Sequence, residues 1–172
     1  MLVMGVDPGL TRTGYAIVTR ADGRFRALGF GVLGTPATAP VAERLALLRS
    51  SFLEQIARFA PDEIAIERLF FNSNVRTAMS VGQASGVLLA SAAESRLPVA
   101  HYTPPEVKMS VAGSGTADKS AVASMVMSLL GLDAPPRPAD AADACALAIC
   151  HLNRGGLSRA VARAQARSGR AS

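Results

Sequence analysis

The segment that decides the fold is residues 5–18, GVDPGLTRTGYAIV. An apolar run through Val6 predicts a buried strand that ends at Asp7 and is followed by a Pro-Gly turn. A second apolar run begins at Tyr15 and predicts a strand that returns beside the first. A carboxylate at the end of a core strand is costly unless its charge is compensated. A cation would compensate it, and the remaining ligands of that cation would come from elsewhere in the chain.

The apolar pattern predicts three sequential strands, followed by alternating helices and strands. Strands are predicted at residues 2–6, 14–19, 25–33, 63–67 and 98–102. Helices are predicted at about residues 41–60, 75–96, 118–132 and 139–153. Sequential strands form an antiparallel meander, and strand–helix–strand units add parallel strands. We therefore predict an α/β fold with a five-stranded mixed sheet, three antiparallel strands followed by two parallel ones, and helices on both faces.

Charge and composition divide the chain into a neutral body and a basic C-terminus. The net charge is +5, but the body up to residue 153 carries 13 basic and 13 acidic side chains, and five arginines follow it. We predict one domain over residues 1–154 and a basic, flexible tail over 155–172, with the last helix ending at the RGG sequence. The tail fits either non-specific nucleic-acid binding or a simple solvated end.

The apolar runs and the cysteines bear on the location of the protein. No apolar run reaches the length that crosses a membrane, and we expect no membrane partner. Cys145 and Cys150 are five residues apart on one predicted helix, so they point to different faces. That spacing predicts neither a disulfide nor a zinc site and fits the reducing cytoplasm.

Three further acids occupy positions where they can join Asp7. Glu67 ends the strand EIAIE, and it lies roughly 5 Å from Asp7 if the two strands are adjacent and parallel. Asp140 and Asp143, in DAAD, are three residues apart and share one helix face. Each acid has an ordinary alternative: Asp7 can cap its turn, Glu67 can be a simple strand-end acid, and Asp140 suits the first turn of a helix. Asp143 is harder to explain otherwise, because it lies within an apolar helix.

Four converging carboxylates would require cations to offset their charge. Ligand sets made only of oxygen suit Mg²⁺ or Mn²⁺. Two such ions, roughly 3.5–4 Å apart, can activate a water and stabilise the leaving oxygen in phosphodiester hydrolysis. The sequence therefore predicts a site that holds two Mg²⁺ or Mn²⁺ ions.

Several motifs together resemble those of the RuvC-type Holliday-junction resolvases. In chain order they are GVDPGLTRTGY, AIERLF, GQASGV, DKSAV and DAADACALAI, between about residues 3 and 152. The resemblance implies an RNase H-like fold and a homodimer that cuts a four-way DNA junction symmetrically with divalent metal. The four acidic positions of the family match Asp7, Glu67, Asp140 and Asp143, although some members carry histidine where Asp140 stands. A RuvAB-type branch-migration complex is the further partner that the family implies.

The loop after Glu67, LFFNSNVR, holds candidate DNA contacts. The resemblance implies that Phe70 wedges or stacks at the junction centre, and the adjacent Phe71 could share or take over that role. Stacking on an exposed base is worth roughly 1–3 kcal/mol. The same loop offers three polar candidates, which are Asn72, Asn74 and Arg76. Asn74 fits equally well as the N-cap of the helix that begins at Val75.

The two lysines of the chain, Lys108 and Lys119, match basic positions of the family. We expect them to hold the phosphate of the cleaved strand, and the alternative is that both are solvated surface residues. The small residues of GQASG, 82–86, allow a close approach either of the sheet or of a second subunit. We favour the dimer because two symmetric cuts need two sites related by a two-fold axis. His151 is interpreted as a surface or second-shell histidine, and His101 is assigned no role.

Three other functions share part of this pattern. An actin-like or sugar-kinase ATPase also has Asp, Gly and Thr after a first apolar strand, but that architecture needs two such domains. An RNase H-like RNA-processing nuclease would use similar metal chemistry. A catalytically inactive junction-binding protein would lack a reason to keep four acids. Junction resolution accounts for the largest share of the motifs.

Overall fold

One mixed β-sheet organises the chain. The computed structural model describes residues 1–68 and 75–168, apart from the side chains of 75–77 and 156–168. The strands in this part are β1 (Leu2–Asp7), β2 (Arg12–Ala21), β3 (Arg24–Gly34), β4 (Glu63–Glu67) and β5 (Val99–Tyr102). The helices are α1 (Val41–Phe59), α2 (Val75–Glu94), α3 (Pro104–Ala112), α4 (Lys119–Leu130) and α5 (Ala139–Ser168).

The strand order across the sheet is β3-β2-β1-β4-β5. β1 pairs antiparallel with β2 and parallel with β4, and β4 pairs parallel with β5. The predicted sheet, with three antiparallel strands followed by two parallel ones, is confirmed. The first strand of the chain is therefore central, and the carboxyl ends of β1 and β4 lie side by side.

Alternating residues of the strands fill two separate cores. Val3 and Ala65 face α3, α4 and α5, whereas Met4 and Ile64 face α1 and α2. This alternation follows from the two-residue period of a strand. Helix α1 turns Leu48 and Phe52 toward the sheet, and both side chains are fully buried. Helices therefore cover both faces, as predicted.

Helix α3 was not predicted from the sequence. Thr103 accepts a hydrogen bond from the backbone N–H of Glu106, and the Glu106 side chain accepts one from the Thr103 backbone N–H. This reciprocal capping box provides hydrogen-bond acceptors for two N–H groups that have no partner within the helix. Pro104 and Pro105 fit the first turn, where a missing N–H costs nothing. The T-x-x-E spacing was the signal that could have found α3.

The prediction that α5 ends at the RGG sequence is wrong. The helix continues without a break from Ala139 to Ser168. Glycine costs a helix only about 1 kcal/mol per residue, and the alanines and arginines that follow are strong helix formers. Although α5 has 30 residues, neither it nor any other helix in the described part of the chain is long and apolar enough to cross a membrane. Whether residues 155–172 act as a separate tail stays a prediction.

Candidate active site

Asp7 and Glu67 lie next to each other at the carboxyl ends of β1 and β4. The parallel register pairs Val6 with Ile66, so each acid is the next residue along its strand. The two carboxyl groups are hydrogen-bonded to each other. Burial, followed by the charges of Glu67 and Asp143, raises the pKa of Asp7 to about 8. Burial also raises the pKa of Glu67. The hydrogen bond between the two carboxyl groups adds to the rise in the pKa of Asp7 and opposes the rise in the pKa of Glu67.

Helix α5 lies directly against this end of the sheet because two glycines leave room for its backbone. A Cβ atom on Gly5 would lie 2.0 Å from the carbonyl oxygen of Ala144. A Cβ atom on Gly14 would lie 2.0 Å from the carbonyl oxygen of Asp140. Real Cβ atoms do not approach oxygen so closely, so any side chain at either position would push α5 away from the strands. Neither glycine was predicted from the sequence to shape the site.

The close approach of α5 brings the DAAD pair to the strand acids. Asp143 is near enough that its charge raises the pKa values of both Asp7 and Glu67. Asp140, one turn earlier on α5, also raises the pKa of Asp7, but it is the smallest of the contributions there. The structure therefore places all four predicted acids in one electrostatic cluster. Asp140 has the weakest effect of the three on the pKa of Asp7.

Two basic side chains pair with the acids of α5. Lys119 donates from Nζ to Oδ2 of Asp143 over 3.2 Å, and the charge of Asp143 raises the pKa of Lys119. Arg12 donates to Oδ2 of Asp140 over 2.5 Å. Lys119 was a predicted site residue, but Arg12 was not. Arg12 lies within the motif GVDPGLTRTGY, but no local sequence pattern pairs it with Asp140, which is 128 residues away.

A pocket opens between these acids and the helices α3 and α4. Three of the acids and both predicted lysines line it together with apolar side chains. The lining residues are Asp7, Glu67, Pro104, Val107, Lys108, Lys119, Val122, Asp143, Ala146 and Leu147. Lys108 and Lys119 therefore line the same pocket as three of the acids. The Lys119 side chain is nevertheless 81% exposed, so the role predicted for the two lysines stays a prediction.

The donor set of this pocket fits a hard divalent cation. All four acids offer oxygen, which Mg²⁺ and Mn²⁺ prefer. As the side chains stand, no three Asp, Glu, His or Cys residues among those described are grouped tightly enough to hold one ion. Asp143 is directed to Lys119 and Asp140 to Arg12. Binding of an ion would thus involve rotation of these carboxylates about their side-chain bonds.

The loop that follows Asp7 is held by threonine hydroxyls and one arginine. The Thr13 hydroxyl donates to the Gly9 carbonyl oxygen over 2.7 Å. The Thr35 hydroxyl donates to the Leu10 carbonyl oxygen. Arg44, from α1, donates to the Thr35 hydroxyl over 3.0 Å and also to the hydroxyl of Thr11. These bonds fix the direction in which the chain leaves Asp7, and none of the side chains that form them was predicted to support the site.

Part of the predicted DNA-contact set lies outside the described residues. This applies to Phe70, Phe71, Asn72 and Asn74, and to the side chain of Arg76. Glu67 and Val75 bound the segment, so it connects the active-site end of β4 to the start of α2. The roles predicted for these residues stay predictions.

His151 is not the surface residue that the sequence suggested. It is buried, and its Nδ1 lies 2.8 Å from the Tyr102 hydroxyl while its Nε2 lies 2.7 Å from Oε2 of Glu63. Glu63 begins β4, whereas Glu67 ends it, so Glu63 lies at the opposite end of the strand from the acid cluster. The expectation that His151 is no direct ligand agrees with this placement, because both ring nitrogens are engaged by Tyr102 and Glu63 rather than directed at the four acids.

Known proteins share both the sequence and the fold of this chain. The family model described as crossover junction endodeoxyribonuclease RuvC matches residues 3–151. A curated relative with that description from Moorella thermoacetica is 50% identical over 151 residues, which cover 88% of this chain and 90% of the relative. A second, from Halothermothrix orenii, is 43% identical over 159 residues, which cover 92% of this chain and 96% of the relative.

Solved structures agree with this result. The RuvC of Thermus thermophilus in complex with a Holliday junction substrate superposes with a TM-score of 0.87 at 38% identity, covering 92% of this chain and 96% of that one. The yeast mitochondrial Holliday junction resolvase superposes with a TM-score of 0.63 at 17% identity, covering 88% of this chain and 78% of that one. The second likeness concerns the fold alone.

Proposed function

The chain belongs to the RuvC family of crossover junction endodeoxyribonucleases, and we propose that it resolves Holliday junctions by metal-dependent hydrolysis of DNA phosphodiesters. The observation that carries the proposal is the meeting of four carboxylates from β1, β4 and α5 with two lysines at the carboxyl ends of β1 and β4. The junction-bound relative from Thermus thermophilus supports the choice of substrate.

Asp7, Glu67, Asp140 and Asp143 are the proposed ligands of two Mg²⁺ or Mn²⁺ ions. Such ions, when bound, supply the activation of the attacking water and the stabilisation of the leaving oxygen. The raised pKa of Asp7 supports this assignment, because burial beside other acids makes its ionised form costly until positive charge is added. Attack of the water on phosphorus, in line with the leaving oxygen, would give 5′-phosphate and 3′-hydroxyl ends.

Lys108 and Lys119 are the proposed contacts to the phosphate that is cleaved. Both line the pocket that contains the acids. Lys119 is already within hydrogen-bond distance of Asp143, so a phosphate beside that carboxylate would lie within its reach. A fixed ammonium group at this position would stabilise the negative charge that grows on the phosphate oxygens during the reaction.

A homodimer is the proposed form of the enzyme, and helix α2 is the proposed contact surface. A Cβ atom on Gly82 or on Gly86 would meet nothing within 4 Å in the described part of the chain. Ala84 and Leu88, in contrast, are buried against the sheet. Met79 is 62% exposed on the same outward face as the two glycines. Of the two uses considered for the small residues, these observations favour contact with a second subunit.

The remaining partners follow from the family. The proposed role of Phe70, or of Phe71 in its place, is to stack at the junction centre. Asn74 and Arg76 are proposed to contact the backbone or the bases of the DNA. A RuvAB-type branch-migration complex is the proposed partner, and the cytoplasm is the proposed location.

Replacement of Asp7 by asparagine tests the chemistry directly. We expect Asp7→Asn to bind a synthetic four-way junction as the unchanged protein does, and to cleave it about 100-fold or more slowly in Mg²⁺. Asp22→Asn is the matched control, because Asp22 lies in the β2–β3 turn, at the opposite end of the strands from Asp7. Cleavage by Asp7→Asn at the rate of the control would disprove the proposed mechanism.

A comparison of substrates tests the proposed specificity. The protein should cleave a four-way DNA junction at paired positions on two opposing strands, and should leave a linear duplex and an RNA–DNA hybrid of the same sequence intact. Preferential cleavage of the hybrid would instead indicate an RNA-processing nuclease. Tight junction binding without any cleavage in Mg²⁺ or Mn²⁺ would indicate a binding protein without activity.

A further inference from the structure

A groove adjoins the active-site pocket on the far side of Lys119. It lies between helix α4 and the connector that leads from α4 to α5. The lining residues are Lys119, Val122, Ala123, Pro135, Pro136, Arg137, Pro138, Ala139, Ala142 and Asp143. Its volume is about 390 Å³, which lies within the range of roughly 300–1,000 Å³ typical of ligand clefts. Lys119, Val122 and Asp143 also line the active-site pocket, so the two cavities adjoin each other at these side chains.

The chemistry of the groove suits a nucleotide with its phosphate. Three prolines and the side chains of Val122 and Ala123 give it apolar walls. Lys119 and the exposed Arg137 supply positive charge. Arg137 forms no ion pair within the described part of the chain, so its guanidinium group is available for an anion. Guanidinium groups bind phosphate through paired N–H donors.

We propose that this groove binds the nucleotide next to the cleaved phosphate, with Arg137 holding the phosphate of that nucleotide. The proposal rests on the proposed function in junction cleavage, since it extends the path of the cleaved strand from the acid pocket along α4. The adjoining positions of the two cavities support DNA as the occupant, because a DNA strand whose phosphate is held by Lys119 must continue past that residue.

The groove binds its nucleotide without reading the base. Apart from Lys119, Arg137 and Asp143, its lining side chains are apolar or proline. Base recognition needs donors and acceptors that match the base edges, whereas a phosphate contact carries no sequence information. Prolines also restrict the backbone, so the apolar wall keeps its shape at little further entropic cost. Substitution of Arg137 should therefore weaken binding equally for junctions of different sequence.

The first experiment compares Arg137→Gln with the matched control Arg24→Gln. Arg24 is exposed and begins β3, at the opposite end of the strands from the acids. Fluorescence anisotropy with a labelled four-way junction, in buffer without divalent metal, reports affinity independently of cleavage. We expect Arg137→Gln to bind about 3- to 10-fold more weakly at 100 mM salt, and its salt slope to fall by about 1. Arg24→Gln should match the unchanged protein in both quantities.

The second experiment locates the contact on the DNA. Neutral methylphosphonate linkages are placed singly at the two phosphates on each side of the cleavage site. At the position that Arg137 contacts, the linkage should weaken binding of the unchanged protein and should not weaken binding of Arg137→Gln any further. Ala123→Leu narrows the groove without a change of charge, and it should slow single-turnover cleavage while thermal unfolding stays within a few degrees of the unchanged protein.

The outcomes separate this proposal from the function on which it rests. If the unchanged protein cleaves junctions but Arg137→Gln behaves as Arg24→Gln does, the groove proposal is wrong and the function stands. If Arg137→Gln binds weakly but no methylphosphonate position shows coupling, Arg137 does not hold a neighbouring phosphate and the proposal is also overturned. If the unchanged protein cleaves no junction, both proposals fall together.

Discussion

Gly14 on β2 and Asp140 on α5 are in backbone contact, so close that a Cβ atom on Gly14 would lie 2.0 Å from the Asp140 carbonyl oxygen. The residue opposite Gly14 on β1 is Asp7. One strand position without a side chain thus sets the distance between a strand acid and a helix acid. The catalytic cluster depends on this contact as much as on the acids themselves.

We expect Gly14→Ala to push α5 away from the sheet. Forced overpacking of this kind costs about 1–3 kcal/mol, which corresponds to a fall of about 3–10 °C in Tm for a chain of this size. The Mg²⁺ concentration for half-maximal junction cleavage should rise because the acids separate. Thermal unfolding and a Mg²⁺ titration measure the two effects.

Gly34→Ala is the matched control for this change. Gly34 ends β3, and a Cβ atom there would meet nothing within 4 Å in the described part of the chain. A Gly14→Ala protein with the Tm and Mg²⁺ dependence of Gly34→Ala would show that the α5 contact does not position the site.

Gly86→Arg should prevent assembly through α2. A long charged side chain on a surface that is open in the single chain leaves folding intact but blocks the close approach of a second helix. We expect sedimentation equilibrium to give a dimer for the unchanged protein and for Ser128→Arg, which alters an exposed position of α4. We expect a monomer for Gly86→Arg, and a dimer would exclude this face as the interface.

Phe70→Ala should bind junctions normally and cleave them poorly. The prediction comes from its place three residues after Glu67, where an aromatic ring can stack on a base at the junction centre. A stack that forms only in the state that is cleaved leaves binding unchanged. Its loss, at roughly 1–3 kcal/mol, slows single-turnover cleavage about 5- to 150-fold. Phe71→Ala, in the neighbouring position, is the comparison that assigns the wedge. If only Phe71→Ala is slow, the role belongs to Phe71.

Glu106 should make the stability of the protein depend on acid pH. Hydrogen bonds from the Thr103 backbone and hydroxyl, and then from Arg154, lower the pKa of Glu106 from 4.5 to about 2. A lowered pKa in the folded state means that the stabilisation is complete above the ordinary value and is lost as pH falls from 4.5 towards 2. Glu106→Gln should therefore cost about 0.5–1 kcal/mol at pH 7, since the carboxylate is partly exposed and solvent screens its charge.

Urea unfolding at pH 7 and at pH 3 measures this difference. The gap between the unchanged protein and Glu106→Gln should shrink at the lower pH. Glu54→Gln, at an exposed position of α1, is the control and should show little effect at either pH. A gap that is equally large at pH 3 would mean that the Glu106 carboxylate charge contributes nothing.

The arginines of the last part of α5 should contribute to DNA affinity through charge alone. Arg159, Arg163 and Arg167 belong to a stretch that carries no acidic residue, since the last acid of the chain is Asp143. Replacement of all three by glutamine should lower the salt slope of junction binding by about 2–3 and leave single-turnover cleavage at saturating protein unchanged. Loss of cleavage under saturation would show that these residues take part in the chemistry.

The amino-acid sequence by itself determined where the strands lie along the chain and which acids stand at their ends. Alternating and continuous apolar runs identify strands because the side-chain period of a strand is local, so Asp7 and Glu67 could be recognised as strand ends. The three-residue spacing of Asp140 and Asp143 likewise fixes a shared helix face, whatever else surrounds it.

Only the tertiary structure decided how those acids meet and what else belongs to the site. The close contact of Gly5 and Gly14 with α5, the pairing of Arg12 with Asp140, and the groove around Arg137 all join residues distant in sequence. The continuation of α5 past Gly155 also differs from the helix end that the local glycines predict. The physical reason is that local patterns specify the direction of each side chain within its own element, whereas the distance between elements depends on the volumes and charges of the residues on both sides of the contact.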